Sequence, residues 1–318
     1  MKQFLSVKDV SNINALVNEA LFHKAHPLKN SSLGKDIKLG LIFFNPSLRT
    51  RVSSQIAASN LGIASFVINA GSDSWQIEWV DGALMNSDKV EHIKDAAGVL
   101  GSYFDVIGVR TFPTLKDRES DYSEFYLHQL AKYSKKPIIS LESATLHPLQ
   151  SLADIITIKE HSSSFKHKPK IVLTWAPHIK ALPQCVSNSF AQWVNAWGEA
   201  EFVITHPKGY ELDEQYTKGT MIEYNQEKAL ENADFIYVKN WSSYNDYGKI
   251  LDVKENWLLN LDKLKATNNA KVMHCLPVRR NLELGDDILD SDHSIVQQQA
   301  NNRVYAAQAV LADIISNL

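Results

Sequence analysis

Cysteine is scarce in this chain: two residues in 318, Cys185 and Cys275, far apart in sequence. That excludes a disulfide framework and fits a reducing compartment. Positive charge is not in excess either. The formal net charge is −3, so no basic field points to nucleic acid. No apolar stretch approaches the roughly 20 residues of a membrane-crossing helix. Lys8 and Asp9 come too soon for the apolar core of a secretory leader. The expectation is a soluble, cytoplasmic protein. No two histidines or cysteines have metal-ligand spacing, so no metal is expected. No glycine-rich Walker loop and no Gly-x-Gly-x-x-Gly turn follows an apolar run. This counts against a nucleotide P-loop and against a nicotinamide oxidoreductase. No cofactor is expected. Internal repeats and low-complexity tracts are also missing.

What is present is an α/β pattern. Hydrophobic residues make up 44% of the chain, enough for a full core. Short apolar runs alternate with helical patterns, which implies βαβ units and parallel sheets. The first set of expected strands is Lys38–Phe44, Ala64–Ile68, Val106–Val109 and Pro137–Leu141. Expected helices lie at Arg51–Asn60, His92–Ser102, Tyr122–Lys132 and Pro148 to about His161. A polar segment, Ser162-Ser163-Ser164 with Lys166, His167 and Lys168, reads as the domain boundary. The second set of strands is Lys170–Trp175, Glu201–Thr205, Phe235–Val238, Lys271–His274 and Ser294–Gln297. Its helices are expected near Ser187–Trp197 and Lys228–Asn232, with a last helix from Ala300 to Ser316. The expected fold is two doubly wound parallel-sheet domains with a cleft between them. By role the chain divides into 1–150, 151–299 and a C-terminal helix, 300–318, that packs back on the first domain. Ligands of such sheets sit at the carboxyl ends of strands.

The most informative stretch is Phe44-Asn45-Pro46-Ser47-Leu48-Arg49-Thr50-Arg51. A buried strand ends there, Asn45-Pro46 turns the chain, and a helical pattern begins. Such a junction presents free N–H groups and the positive end of a helix dipole, which suits an anion. Two hydroxyls, Ser47 and Thr50, and two guanidiniums, Arg49 and Arg51, stand beside it. A guanidinium fork matches phosphate oxygens. The blander alternative is a capped helix with solvated arginines.

Other polar residues stand just past strands. Arg110 ends the third, and Glu142 ends the fourth. His147-Pro148-Leu149-Gln150 opens a helix, with Pro148 suited to its first turn. His178, Lys239 and His274-Cys275-Leu276-Pro277-Val278-Arg279-Arg280 follow strands of the second half, and Arg303 lies early in the last helix. Cys275 is a poor nucleophile candidate, because neighbouring strand residues point to opposite faces and His274 cannot easily activate it.

Taken in order, Ser47-Leu48-Arg49-Thr50-Arg51, His147-Pro148-Leu149-Gln150 and His274-Cys275-Leu276-Pro277 resemble the motifs of the aspartate/ornithine carbamoyltransferase family. The likeness spans nearly the whole chain. The Asp-x-x-x-Ser-Met-Gly loop of the ornithine branch is missing; after Lys239 the chain reads Asn240-Trp241-Ser242-Ser243-Tyr244. An acylated α-nitrogen carries no charge and needs no such aspartate. Trp175-Ala176-Pro177-His178, Lys239-Asn240-Trp241 and Thr267-Asn268-Asn269 fit the acylornithine branch instead.

The resemblance implies that Ser47, Leu48, Arg49 and Thr50 hold the phosphate of carbamoyl phosphate. It implies that Trp75 reaches that phosphate from a neighbouring subunit, hence a homotrimer with shared active sites. Arg110, His147 and Gln150 would take the carbamoyl group, with Pro148, Leu149, Cys275, Leu276 and Arg303 completing the pocket. Glu142, His178, Lys239, Arg279 and Val90 would face the acylornithine, and the second domain would be knotted. The implied reaction transfers the carbamoyl group to the side-chain amine of N-succinyl-L-ornithine, giving N-succinyl-L-citrulline and phosphate in arginine biosynthesis. N-acetyl-L-ornithine is the alternative acceptor, and a non-catalytic phosphate-metabolite binder the remoter reading. Val90 stands where acetyl-type relatives have an acidic residue and succinyl-type relatives a proline; Glu283 stands where acetyl-type relatives have a lysine. Both departures lean towards succinyl.

Overall fold

Strands of a parallel sheet are covered on both faces, so they read as unbroken apolar runs joined by long crossovers. That pattern builds both halves of this protein. The computed structural model describes residues 1–318. They form two compact units: Met1–Pro113, Glu119–Leu149 and Arg303–Leu318 in the first, Thr114–Arg118 and Gln150–Asn302 in the second.

The first unit contains β1 (Lys38–Phe43), β2 (Ala64–Asn69), β3 (Ile77–Glu78), β4 (Glu91–His92), β5 (Val106–Arg110) and β6 (Ile138–Glu142). Four of these make a parallel sheet in the order β2-β1-β5-β6. Every residue of β5 and β6 is buried. Ile42, Ile107, Val109 and Ile138 meet Ile93, Ala97, Leu127 and Leu130 from the crossover helices in one core. Two of those helices, Ile93–Tyr103 and Phe125–Ser134, approach closely at Gly101. A Cβ there would lie 2.2 Å from the Ser134 carbonyl oxygen, so only glycine fits. The end of the last helix is held in this unit by Gln308. Its Nε2 donates to Pro27 O at 2.7 Å and its Oε1 accepts from Asn60 Nδ2 at 3.0 Å.

The second unit contains β7 (Lys170–Trp175), β8 (Glu201–Thr205), β9 (Met221–Glu223), β10 (Phe235–Lys239) and β11 (Lys271–Met273). They form a parallel sheet in the order β11-β10-β7-β8-β9. Val172, Val203, Ile236, Val238 and Val272 pack against Ala229, Leu230, Leu264, Leu284 and Ile288.

Each sheet has one place where the strand order reverses: between β1 and β5 in the first unit, between β7 and β10 in the second. There the crossovers leave to opposite sides and a crevice opens at the carboxyl ends. The register puts Phe43 beside Arg110 at the first, and Trp175 beside Lys239 at the second.

Three expectations need correction. Ser294–Gln297 is not a strand; Ser294 makes an isolated bridge to Val272, and the last helix already begins at Val296. Its two apolar residues, Ile295 and Val296, cover the core from a helix start instead. The polar segment at 162–168 is not a boundary. It lies inside the second unit, because the Pro148–Ser162 helix belongs to that unit from Gln150 onward and is buried there through Ile158. The last helix divides between Asn302 and Arg303, so residues 300–302 belong to the second unit rather than to the first.

Candidate active site

The β1–helix junction is built as an anion site would be. Ser47 holds the N-cap position of the Leu48–Asn60 helix in extended backbone, φ −154°, yet its side chain makes no capping bond. The first-turn N–H groups are therefore not spent on their own cap, unlike the bland reading of this stretch. Arg49 Nε is buried and has no protein hydrogen-bond partner, a costly arrangement unless it serves a ligand. Leu48 is exposed.

Behind the junction lies a buried polar cluster centred on Thr50. Thr50, Arg110, Glu142, His147 and Arg303 are all under a tenth exposed. Arg303 Nη2 donates to Thr50 Oγ1 at 2.8 Å, and Arg110 Nη1 makes a longer contact of 3.4 Å to the same oxygen. With its oxygen accepting from guanidiniums, the Thr50 hydroxyl proton is directed elsewhere, as a donor. Arg110 pairs with Glu142 Oε2, and His147 Nε2 lies 3.4 Å from that oxygen. One carboxylate thus fixes two groups expected at the carbamoyl oxygen. Glu142, expected at the acylornithine, is placed here in that bracing role. Pro148 and Leu149 form the first helical turn beside His147 and are buried.

Arg51 is turned differently. It donates to Asn69 Oδ1 at the end of β2, and its guanidinium lies 5.4 Å from the Phe43 ring. Its position joins two strand ends.

Trp75 and Val90 share one small device. The loop strands β3 and β4 pair in parallel, Ile77 with Glu91. Val90 N–H donates to Gln76 O at 3.0 Å, and Trp75 Nε1–H donates to Glu91 Oε2 at 2.8 Å. Both side chains are more than half exposed, at 56% and 65%.

In the second unit a buried carboxylate organises the expected acceptor residues. Glu283 is 1% exposed. Its Oε2 lies 3.2 Å from His274 Nε2 and accepts from Arg279 N–H at 3.1 Å. Its Oε1 is 3.6 Å from His178 Nε2, which accepts from Arg279 Nε at 3.0 Å. Burial opposes ionising Glu283, but the hydrogen bond and charge of His274 and the charge of Lys239 outweigh it and hold the carboxyl below its usual value. Lys239 itself ends β10 and is buried. Acyl selection is therefore not the whole role of Glu283: it holds His274 Nε2 and the Arg279 backbone N–H.

His274 Nδ1 accepts from Leu276 N–H at 2.9 Å. The proton therefore sits on Nε2, toward Glu283, and no ring lone pair serves the Cys275 thiol. Leu276 has φ +55°, rare for a bulky residue and characteristic of functional turns. Cys275 is partly exposed. Gln150 is buried in the first turn of its helix.

Residues 2–160 match the model described as aspartate/ornithine carbamoyltransferase, carbamoyl-P binding domain, and residues 184–314 match its Asp/Orn binding domain. The chain is 46% identical over 320 residues to an N-succinylornithine carbamoyltransferase of Bacteroides fragilis (strain 638R), covering 100% of both. It is 36% identical to an N-acetylornithine carbamoyltransferase of Xylella fastidiosa (strain Temecula1), covering 99% of both. Among solved structures, a mutant N-acetyl-L-ornithine transcarbamylase complexed with carbamyl phosphate and N-succinyl-L-norvaline superposes with a TM-score of 0.92 at 34% identity, over 99% of this chain and 100% of that one. The chain belongs to the aspartate/ornithine carbamoyltransferase family.

Proposed function

We propose that this carbamoyltransferase moves the carbamoyl group of carbamoyl phosphate to the side-chain amine of N-succinyl-L-ornithine, releasing N-succinyl-L-citrulline and phosphate. The observation that carries the reading is the uncapped helix start with Arg49, backed by two guanidiniums on Thr50. Ser47, Leu48, Arg49 and Thr50 hold the phosphate. Arg110, His147 and the Thr50 hydroxyl donate to the carbamoyl oxygen as it gains charge. One such donor is typically worth about 100- to 1000-fold in rate. Gln150, Cys275, Leu276 and Arg303 complete the carbamoyl contacts.

Glu142, His178, Lys239 and Arg279 orient the acylornithine; Glu142 also braces Arg110 and His147, and Glu283 holds His274 and the Arg279 backbone N–H. The attacking amine has an ordinary pKa of about 10.4, and desolvation favours its neutral form. The leaving phosphate takes its proton, so no side-chain base is required. Positioning and electrostatics are the main catalytic terms.

The succinyl choice is supported by Val90, uncharged and exposed, which does not repel a terminal carboxylate. The higher identity to the succinyl-named relative points the same way. The reading further includes a cytoplasmic homotrimer in which Trp75 serves a neighbour's phosphate site, a knotted second domain, and a place in arginine biosynthesis.

The test is turnover of carbamoyl phosphate with each acylornithine, read as acylcitrulline and phosphate. Turnover with both or with succinyl alone, and a higher kcat/KM for succinyl, is expected. No turnover with either defeats the reading; a higher value for acetyl reverses the acyl choice.

A further inference from the structure

The Pro148–Ser162 helix carries a group that the reaction as described does not use. Asp154 lies one turn after Gln150 and is fully buried. Its Oδ1 accepts from Gln150 Nε2 at 2.8 Å and from Gln299 Nε2 at 2.7 Å. Gln299, also fully buried, accepts through Oε1 from the backbone N–H of His274 at 2.9 Å. A carboxylate thus joins the helix bearing Gln150 to the turn bearing Cys275 and Leu276. Tyr237, on β10, lies beside both Asp154 and Cys275; burial first, then these two neighbours, push its hydroxyl well above its ordinary range.

We infer that Asp154 is a positioning residue for carbamoyl transfer: it sets the direction of the Gln150 amide and, through Gln299, of the backbone leading into Cys275 and Leu276. The inference rests on the function proposed above. An ionised carboxylate accepts only. Beside it, each glutamine amide has one allowed orientation, nitrogen inward. Gln150 therefore turns its Oε1 away from Asp154, as the acceptor that a carbamoyl NH2 group requires. Gln299 is fixed with Oε1 toward His274 N–H. Bonds to a charged acceptor are roughly twice as strong as neutral ones, which suits a group holding two amides at once.

Asp154→Asn keeps the size, removes the charge and lets the amides choose either orientation. The expected result is a fall in kcat with succinylornithine toward the roughly 100-fold that an ångström-scale misplacement costs. Inhibition by inorganic phosphate, which reads the Arg49–Thr50 junction, should be unchanged. In a Gln150→Ala background the same substitution should cost less than about twofold more, because coupled residues are not additive. Gln299→Met, which spares the charge, should give an intermediate loss, and it serves as the readout should Asp154→Asn fold poorly. Wild-type kcat in Asp154→Asn, a loss that multiplies fully with that of Gln150→Ala, or wild-type kcat in Gln299→Met would overturn the inference. Turnover by the unmodified chain, measured alongside, separates these outcomes from failure of the function itself.

Discussion

At the scale of single residues, the site works by committing each polar group in advance. Thr50 accepts from Arg303 and contacts Arg110, so its proton has one remaining direction. Glu142 holds Arg110 and His147 through one oxygen. Donors fixed before substrate arrives need no reorganisation during reaction. Thr50, Arg110 and His147 could be singled out in the sequence because each stands at a strand end or helix start; Arg303 stands eight residues into a helix that begins at Val296. The bracing roles of Glu142 and Glu283 were not legible. Both depend on partners brought together only by the fold, Glu142 on Arg110 and Glu283 on His274. Glu283 also yields a pH prediction. Its folded carboxyl lies below the ordinary 4.5. A depressed value contributes stability above the unfolded pKa and loses it as pH falls through the folded one. Glu283→Gln should therefore cost about 2 kcal/mol near neutrality and shrink the difference from wild type as pH drops below 4.5. Denaturant unfolding at a series of pH values checks this; a constant difference would contradict it.

At the scale of elements, long apolar runs were the readable part. β1, β7 and β10 each carry five consecutive buried residues, and short length with flanking turn signals identifies such strands where period alone does not. Short elements escaped. β3 and β4 have two residues each and β9 has three, too few for any periodicity. The Ile13–Ala25 helix escaped as well, because nothing in it carries site chemistry. The β3–β4 device matters most among these, since it ties Val90 and Trp75 to one rigid pair. Changing the charge at Val90 should therefore act on substrate choice and leave the fold alone. Val90→Glu should lower kcat/KM for succinylornithine about tenfold, roughly 1.4 kcal/mol, through like-charge repulsion. The value for acetylornithine should stay within about twofold, as an exposed substitution normally does. Equal losses for both substrates would show that Val90 does not face the acyl group.

At the scale of the whole chain, two sheets of the same design each place polar residues at the carboxyl ends of their strands, with Arg110 and Lys239 at the points where strand order reverses. The first unit gathers the groups proposed for the phosphate and most of those proposed for the carbamoyl oxygen; the second gathers His178, Lys239 and Arg279, proposed for the acylornithine, with Gln150, Cys275 and Leu276. Matches to the family's models follow the same division of labour along the sequence. The α/β alternation made this architecture legible. The assignment of Thr114–Arg118 to the second unit was not, nor was the division of the last helix after Asn302, since membership depends on packing and not on pattern. All of the chemistry proposed here depends on the β1–helix junction gripping a phosphoryl group with Arg49. Calorimetric titration of carbamoyl phosphate into wild type and Arg49→Ala tests that most directly. The account predicts a Kd about 30-fold or more weaker, from the roughly 2–5 kcal/mol lost with a buried charge partner, and a melting temperature within about 4 °C of wild type. An unchanged Kd in a folded Arg49→Ala protein would contradict it.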